Sequence, residues 1–428
     1  MATNNSKEKV RQLQNKLYLT AKKCSHRRFH ALYDKVCRED ILFESWKRVK
    51  ANRGSSGVDG IRIEDIEENG VIEYLAEIQK DLIAGKYNPS PVKRVMIPKP
   101  DGSERPLGIP TVRDRIVQMA TKIAIEPVFE ADFLDCSYGF RPKRSAKQAI
   151  EEVRKACNNK GYYVVDADIE KFFDTVNQDK LMVLVEQRIS DRRIIKLIRK
   201  WLQAGILYGE DLEVSDQGTS QGSVISPLLA NIYLHTLDRL WEKYGKSHGK
   251  LVRYADDSVI ICKNKKSANH AMNLLVYIMA KLDLKLNGAK TQIICMWGGK
   301  EGFDFLGMHH RSMKMINSRG NEYYQTVQYP SKKAMKKMKA SIKRNVNSRT
   351  ELAVTEDELI VSLNRKIIGW RNYYRTKTND KWMLAIDRYI LFSFVRWYNK
   401  KHQNRRRLSN ISKVRDIVYQ KGLQRMHA

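Results

Sequence analysis

Apolar residues recur at helical spacing from about residue 7 to 50, interleaved with dense lysine and arginine, until the stretch NRGSSGVDG (52–60) breaks the period with three glycines. A second helical stretch is predicted near 71–85. Over 88–110, prolines and two glycines among extended apolar residues predict β-hairpins. From 112 to 310 helical and strand-like pieces alternate, with no internal repeat and no low-complexity linker. The C-terminal part reads as all-helical. There Thr355 and Glu358 supply a capping box, Val354 and Leu359 a hydrophobic staple, and Leu363, Ile367, Trp370 and Tyr374 continue one face. An earlier helix from Ser331 turns Met335, Met338, Ile342 and Val346 inward and leaves its lysines outside.

Two stretches place carboxylates among residues that favour burial. In LVRYADDSVI (251–260), Asp256 and Asp257 stand side by side between strand-like Val252 to Tyr254 and Val259 to Cys262. Taken alone, this is a hairpin tip. In YYVVDADIEKFFD (162–174), a strand would put Tyr163, Val165, Ala167 and Ile169 on one face and Val164, Asp166 and Asp168 on the other. The apolar face then packs on helices and the aspartates meet a cleft. Bringing Asp168 near Asp256 and Asp257 without a cation raises their pKa values by like-charge repulsion. With Mg²⁺ the same clustering becomes favourable, because a hard cation takes carboxylate oxygens at roughly 2.0 to 2.1 Å. Two ions about 4 Å apart would let one activate a hydroxyl and the other steady the leaving oxygen of an in-line phosphoryl displacement. Asp166 and Glu170 read as supporting or surface charges.

Composition narrows the class. The chain has 428 residues and 42% hydrophobic positions, with no apolar run long enough to cross a bilayer and no secretory signal in MATNNSKEKV. It is expected to be globular and cytoplasmic, with no membrane partner. The six cysteines (24, 37, 136, 157, 262, 295) form no C-x-x-C pair, which argues against a zinc module or a disulfide framework. The net charge of +31 is unevenly placed. Residues 1–50 hold 13 Lys/Arg against 5 Asp/Glu and residues 311–428 hold 28 against 8, leaving only +3 between. A nearly neutral body with two basic ends fits a polyanionic partner. Aromatics mixed with the basic residues in WRNYYR and FVRWYNKKHQNRRR point to nucleic acid.

The ordered blocks KPDGSERPLGIPTVRDR (99–115), SYGFRPKRSAKQAI (137–150), DADIEKFFD, GTSQGSVISPLLANIYL (218–234), RYADD, LKLNGAKT (284–291) and FDFLG (303–307) closely resemble the reverse transcriptases encoded by group II introns. The resemblance runs from about residue 40 to 375. It implies an α+β right-hand polymerase with fingers, palm and thumb. Residues 1–90 would be a basic helical extension with a loop covering template and primer, 91–310 fingers and palm, 311–398 a helical RNA-binding thumb or maturase domain, and 399–428 a basic segment faintly like a reduced DNA-binding region. By the same resemblance Asp168, Asp256 and Asp257 hold two Mg²⁺ ions, or Mn²⁺ in their place, assisted by the main-chain carbonyl of Ile169. Lys99 and Arg105 match residues that hold the incoming triphosphate, as suits a point charge and a forked donor. Phe173 matches the ring beneath the sugar that excludes a 2′-hydroxyl. Gln221 and Gly222 match a loop contacting the nascent pair, followed by Ser226 as N-cap and Pro227 as the first helical residue. Lys290 matches a lysine that protonates the departing pyrophosphate. Implied partners are an RNA template, intron RNA, a DNA primer or target, and dNTPs. No paired cysteines or histidine-rich block follow the thumb, so the endonuclease of some members is expected to be absent.

One departure stands in the fourth block, where Ser220 and Ser223 replace the family's usual Pro and Gly. The implied function is RNA-directed DNA polymerisation together with help to intron RNA in splicing and mobility. Two alternatives remain at this point: a host-adapted transcriptase serving phage defence or DNA repair, and a splicing cofactor without catalysis. Intact Asp168, Asp256 and Asp257 argue against the second.

Overall fold

The computed structural model describes residues 2–98, 102, 104–208, 211–213, 217–218, 222–347, 352–403 and 411–427. The chain begins with helices α1 (Ala2–Lys23), α2 (Tyr33–Val36), α3 (Glu39–Ala51), α4 (Ile63–Asn69) and α5 (Val71–Ile83). Strands β1 (Val92–Pro98) and β2 (Glu104–Ile109) follow, then α6 (Val112–Glu130), α7 (Ala146–Asn158) and β3 (Tyr163–Ala167). Next come α8 (Phe172–Thr175), α9 (Gln178–Glu186), α10 (Arg192–Leu202), β4 (Ile206–Tyr208), β5 (Asp211–Glu213) and α11 (Ser226–Leu240). The hairpin β6 (Lys250–Tyr254) and β7 (Asp257–Cys262) leads to α12 (Lys265–Lys281), β8 (Gln292–Cys295), β9 (Gly302–Phe305), β10 (Met308–Ile316) and β11 (Glu322–Pro330). Four helices follow: α13 (Lys332–Asn347), α14 (Glu356–Tyr374), α15 (Asp380–Lys401) and α16 (Ile411–Gln420). The strands form sheets ordered β2-β1-β4-β5, β6-β7-β3-β8 and β11-β10-β9.

The chain divides into two compact units. The first comprises residues 1–145, 167–258 and 270–291. Its axis is α6, whose Ile116, Val117, Ile123, Ala124, Ile125 and Val128 are fully buried under α1, α2 and α3. No residue of the helix is exposed, so its apolar side chains are covered on every side. Thr111 caps it by accepting the Asp114 amide at 3.1 Å. Arg188 closes the end of α1, donating to the carbonyls of Ala21, Cys24 and Ser25. The expected hairpin of 88–110 is present as antiparallel β1 and β2, with Ile97 opposite Arg105.

The second unit comprises residues 146–166, 259–269 and 292–428. In it β3 pairs with β8 along Tyr163 to Asp166. Val164, placed by the sequence on the cleft face, is fully buried, as is Val165 on the opposite face. The alternation of faces holds, since Asp166 on the Val164 side is half-buried while Val165 opposite it is buried; Val164 packs its share of the aspartate face. The helical region begins only at Lys332. Residues 308–330 form a long hairpin instead, favoured by the β-branched and aromatic run YYQTV and the turn residues of NSRGN. Beyond it the expected helices appear. The capping box is made by the Glu358 amide on Thr355 Oγ1 at 3.3 Å and the Thr355 amide on Glu358 Oε2 at 2.8 Å. Met338, Ile342, Val346, Leu363 and Ile367 share one core with Ile386, Ile390 and Phe394. Val414, Val418, Leu423 and Met426 belong to the same core, so the described part of the basic segment is packed into the helical bundle.

Candidate active site

The adjacent carboxylates of the β6–β7 hairpin stand at a turn that begins with Ala255 in the left-handed region, φ 57°. That conformation costs energy for any residue with a Cβ, and surrounding contacts hold it. Arg253 lies fully buried beneath the turn, and its Nη1 donates to the Ala255 carbonyl at 2.9 Å. The same guanidinium reaches Asp238 at 2.8 and 2.5 Å, Asn231 Oδ1 at 3.1 Å and Ser137 Oγ at 2.8 Å. Burial alone would lower the Arg253 pKa; the Asp238 carboxylate outweighs it, so the shift is upward and the group stays charged.

The SYGF block runs beside β6, exchanging main-chain bonds between Arg253 and Cys136 and between Tyr138 and Arg253 at 2.8 and 2.9 Å. Asn231 Nδ2 donates to the Gly139 carbonyl at 2.8 Å. A Cβ on Gly139 would collide with the Ala255 amide nitrogen, so only glycine allows the backbone this close to the turn.

Asp168 follows the last residue of β3. Its carbonyl accepts the Asn287 amide at 2.8 Å, and Lys290 Nζ lies 3.1 Å from its Oδ2. Ile169 is buried and bridges to Leu286, and the Glu170 amide bonds the Lys285 carbonyl at 2.9 Å. The block LKLNGAKT therefore holds the segment bearing Asp168. Glu170 is exposed, whereas Asp166 sits in β3 opposite Gln292.

Asp168 acts on both Asp256 and Asp257, and Asp256 acts on Asp257. Asp257 keeps an open surface yet is crowded enough that desolvation, then Asp256, then Asp168, push its carboxyl up to about 6. Asp256 is also raised, chiefly by burial and also by Asp168, against the lowering effects of a backbone hydrogen bond and of Arg105. Among the described residues no three His, Cys, Asp or Glu side chains close around one point as a metal cage. The donor set nevertheless fits a hard divalent cation, because these are hard carboxylate oxygens and Asp168 raises both Asp256 and Asp257, a repulsion that a bound cation would relieve.

Arg105 is exposed on β2, within electrostatic reach of Asp256. Phe173 is half-buried, edge-on to Phe172 with ring centroids 5.3 Å apart. Gly222 is exposed and Ser223 buried. Lys99, Ser220 and Gln221 lie outside the described residues. The α11 helix starts with Ile225 at the N-cap, so Ser226 and Pro227 stand one position further in than the sequence suggested. Sequence reasoning missed Arg253, Asn231, Asp238 and Gly139 as supports of the turn. The available signal was polar residues inside apolar runs, in LVRYA and LLANIYLHTLDRL.

Comparison with known proteins matches residues 97–310 to the family described as reverse transcriptase (RNA-dependent DNA polymerase) and residues 335–414 to the group II intron maturase-specific domain. Protein YkfC of Escherichia coli (strain K12) is 34% identical over 363 residues, covering 76% of this chain and 93% of that protein. The group II intron-encoded protein LtrA of Lactococcus lactis subsp. cremoris is 37% identical over 212 residues, covering 49% of this chain and 35% of LtrA. The putative COX1/OXI3 intron 1 protein of Saccharomyces cerevisiae is 32% identical over 212 residues, covering 49% of this chain and 25% of that protein.

Proposed function

We propose, for a chain that belongs to the group II intron-encoded reverse transcriptases, that Asp168, Asp256 and Asp257 form the metal-binding centre of RNA-directed DNA synthesis. The α+β architecture with its helical C-terminal region is that of a right-hand polymerase, and the family's partners are RNA and DNA. Reverse transcriptases use divalent metal ions; here two Mg²⁺, or Mn²⁺ in their place, would neutralise charge on the reacting phosphate. The Ile169 carbonyl joins the three carboxylates as a ligand.

Each remaining residue has a task set by its chemistry. Lys99 and Arg105 bind the triphosphate of the incoming dNTP. Phe173 occupies the space a ribose 2′-hydroxyl would need. Gln221 and Gly222 contact the nascent base pair. Lys290, whose ammonium lies against Asp168, delivers a proton to the departing pyrophosphate. Residues 1–90 and 311–428 carry the basic surface for template, primer and intron RNA. Among the described residues no helix is long and apolar enough to cross a membrane.

The observation that carries this reading is that Asp256 and Asp257 are both raised, first by burial and then by neighbouring carboxylates that include Asp168 in each case, a crowding that a bound cation would relieve. Primer extension on an RNA template with Mg²⁺ tests it. Asp256→Asn and Asp168→Asn should abolish extension while RNA binding persists. Near wild-type extension by either variant would refute the assignment.

A further inference from the structure

The first unit carries a cavity lined by none of the residues assigned to the chemistry. Its volume is about 910 Å³, within the roughly 300–1,000 Å³ usual for small-molecule sites. Helices α1, α6, α9 and α11 bring their C-terminal ends to it. Such ends present free carbonyls that attract cations, and two of the cations here are spent on them. Lys22 donates to the Ala131 carbonyl at 3.0 Å. Arg188, 6% exposed, serves the carbonyls of Ala21, Cys24 and Ser25 and lies 3.1 Å from Asp132. Arg239, Lys243 and His26 line the same cavity and make no side-chain hydrogen bond among the described residues. Asp132 is the only carboxylate among the described residues of the lining.

Helix α11 arranges these groups in order. Ile232, His235, Thr236, Arg239 and Leu240 recur at helical spacing, and the stripe runs on to Lys243 in the turn of π-helix that follows, Trp241–Gly245. Its chemistry changes along the axis. At one end Ile232 is buried, as are Phe129 and Phe133 in the same wall. His235 comes next, half-buried and edge-on to Phe133 with ring centroids 5.5 Å apart. Its Nδ1 is buried without a partner, and its Nε2 makes no hydrogen bond either among the described residues. Burial, the leading cause, brings its pKa down to about 4, so the ring is neutral at pH 7. One turn on, about 6 Å of rise, stands exposed Arg239, with exposed Lys243 beyond it. An occupant that matches this order has a flat apolar body with a hydrogen-bonding edge and an anionic group at one end. A lipid tail would leave the imidazole unpaired, and bare phosphate would leave the apolar wall uncovered.

We propose that this cavity takes a nucleoside phosphate, its base against Phe133, Ile232 and His235 and its phosphate on Arg239 and Lys243. The nucleotide is either free or an unpaired member of an RNA strand, the same chemistry from two sources. Arg105, assigned to the incoming triphosphate, is not among the lining residues, so this is a second site.

The test is equilibrium binding of AMP, adenosine and a short oligoadenylate to the full chain in EDTA, alongside thermal melts. Arg239→Gln should weaken AMP about tenfold, as for a lost charge-assisted bond, and leave adenosine within about twofold because it has no phosphate to lose. His235→Phe should weaken AMP and adenosine alike, by about fivefold. If AMP does not bind, oligoadenylate decides through His235→Phe, which removes no charge at pH 7: a loss of about fivefold places an RNA nucleotide in the cavity. Three results would overturn the site. They are adenosine losing as much as AMP to Arg239→Gln, AMP affinity that falls with Arg105→Gln but not with Arg239→Gln, and absent AMP binding with oligoadenylate indifferent to His235→Phe. Should His235→Phe not fold, Thr236→Trp fills the cavity from its wall and takes its place, with the same losses expected.

Discussion

Arg253 and Asp238 meet through hydrogen bonds of 2.8 and 2.5 Å with neither side chain exposed to solvent. Truncating one partner of such a pair strands the other charge in the interior. Arg253→Lys keeps the charge but cannot serve Asp238, Asn231, Ser137 and the Ala255 carbonyl together. We expect it to cost about 2–3 kcal/mol in urea unfolding and to lower kcat in primer extension. Asn231→Ala, which loses the bonds to Arg253 and Gly139, should show a smaller loss of the same kind. An unchanged kcat in both would mean that the turn holds itself.

Gly139→Ala should be among the most damaging single-methyl additions in the chain, since the new Cβ meets the Ala255 amide and lies 2.9 Å from the Tyr254 carbonyl carbon. Overpacking of this kind costs about 1–3 kcal/mol, and here the displaced atoms lead directly into Asp256. Loss of extension with primer binding retained is the expected result.

Phe173→Val should admit ribonucleotides, because the proposed exclusion is steric. Competing dNTP and rNTP on one primer measures it. Unchanged discrimination would place another side chain beneath the sugar.

One half-buried imidazole, His235, and one buried imidazole, His310, give a pH dependence of stability. Burial, the leading cause in each case, drives His235 down to about 4 and His310 down to about 3, from 6.5. Both are neutral in the fold, while the unfolded chain takes up a proton near 6.5. The stability they allow is complete above that pH and declines as pH falls toward the folded values, by about 1.4 kcal/mol per pH unit per histidine. Buried carboxylates such as Asp114 and Glu126 are raised and act in the opposite sense, so the clean measurement is a difference. His235→Phe keeps an aromatic edge against Phe133. It should reduce the stability lost between pH 7 and 5 by about 2 kcal/mol in urea melts.

Replacing Lys332, Lys333, Lys336 and Lys337 on α13 by Gln should weaken RNA binding and reduce the salt slope by roughly 0.7–0.9 for each phosphate left without its lysine. Truncation after Asn399 is the poorer experiment. It removes Val414, Val418, Leu423 and Met426 from the helical core, so weaker binding would report a damaged fold.

What the sequence disclosed and what it withheld divide along a physical line. Helix faces at 331–346 and 359–374, the capping box at Thr355 and the 92–109 hairpin depend on neighbours within a few residues, and all were legible. The resemblance supplied Asp168, Asp256 and Asp257 because their blocks come in order. The buried network under the turn was not legible. Arg253, Asn231 and Asp238 are tolerated in the interior only through partners that folding brings together, including Ser137 and Gly139 nearly a hundred or more positions away. That Val164 is buried although it shares a face with Asp166 was not legible, because an alternating pattern does not say which parts of a face are covered. The 308–330 hairpin was missed because lysines and arginines scattered through the C-terminal part mask its period of two.

The burial of Met426 also sets an order of events during synthesis. Every carboxylate and lysine assigned to the chemistry lies before residue 292, whereas the helical core of the second unit includes Leu423 and Met426. As the chain leaves the ribosome, the segments bearing the site emerge first and begin to fold while the bundle is still missing its last turns. Throughout that interval the part of the α13–α15 core that Val414, Val418, Leu423 and Met426 complete lacks its cover, which exposes the helical region to misassembly.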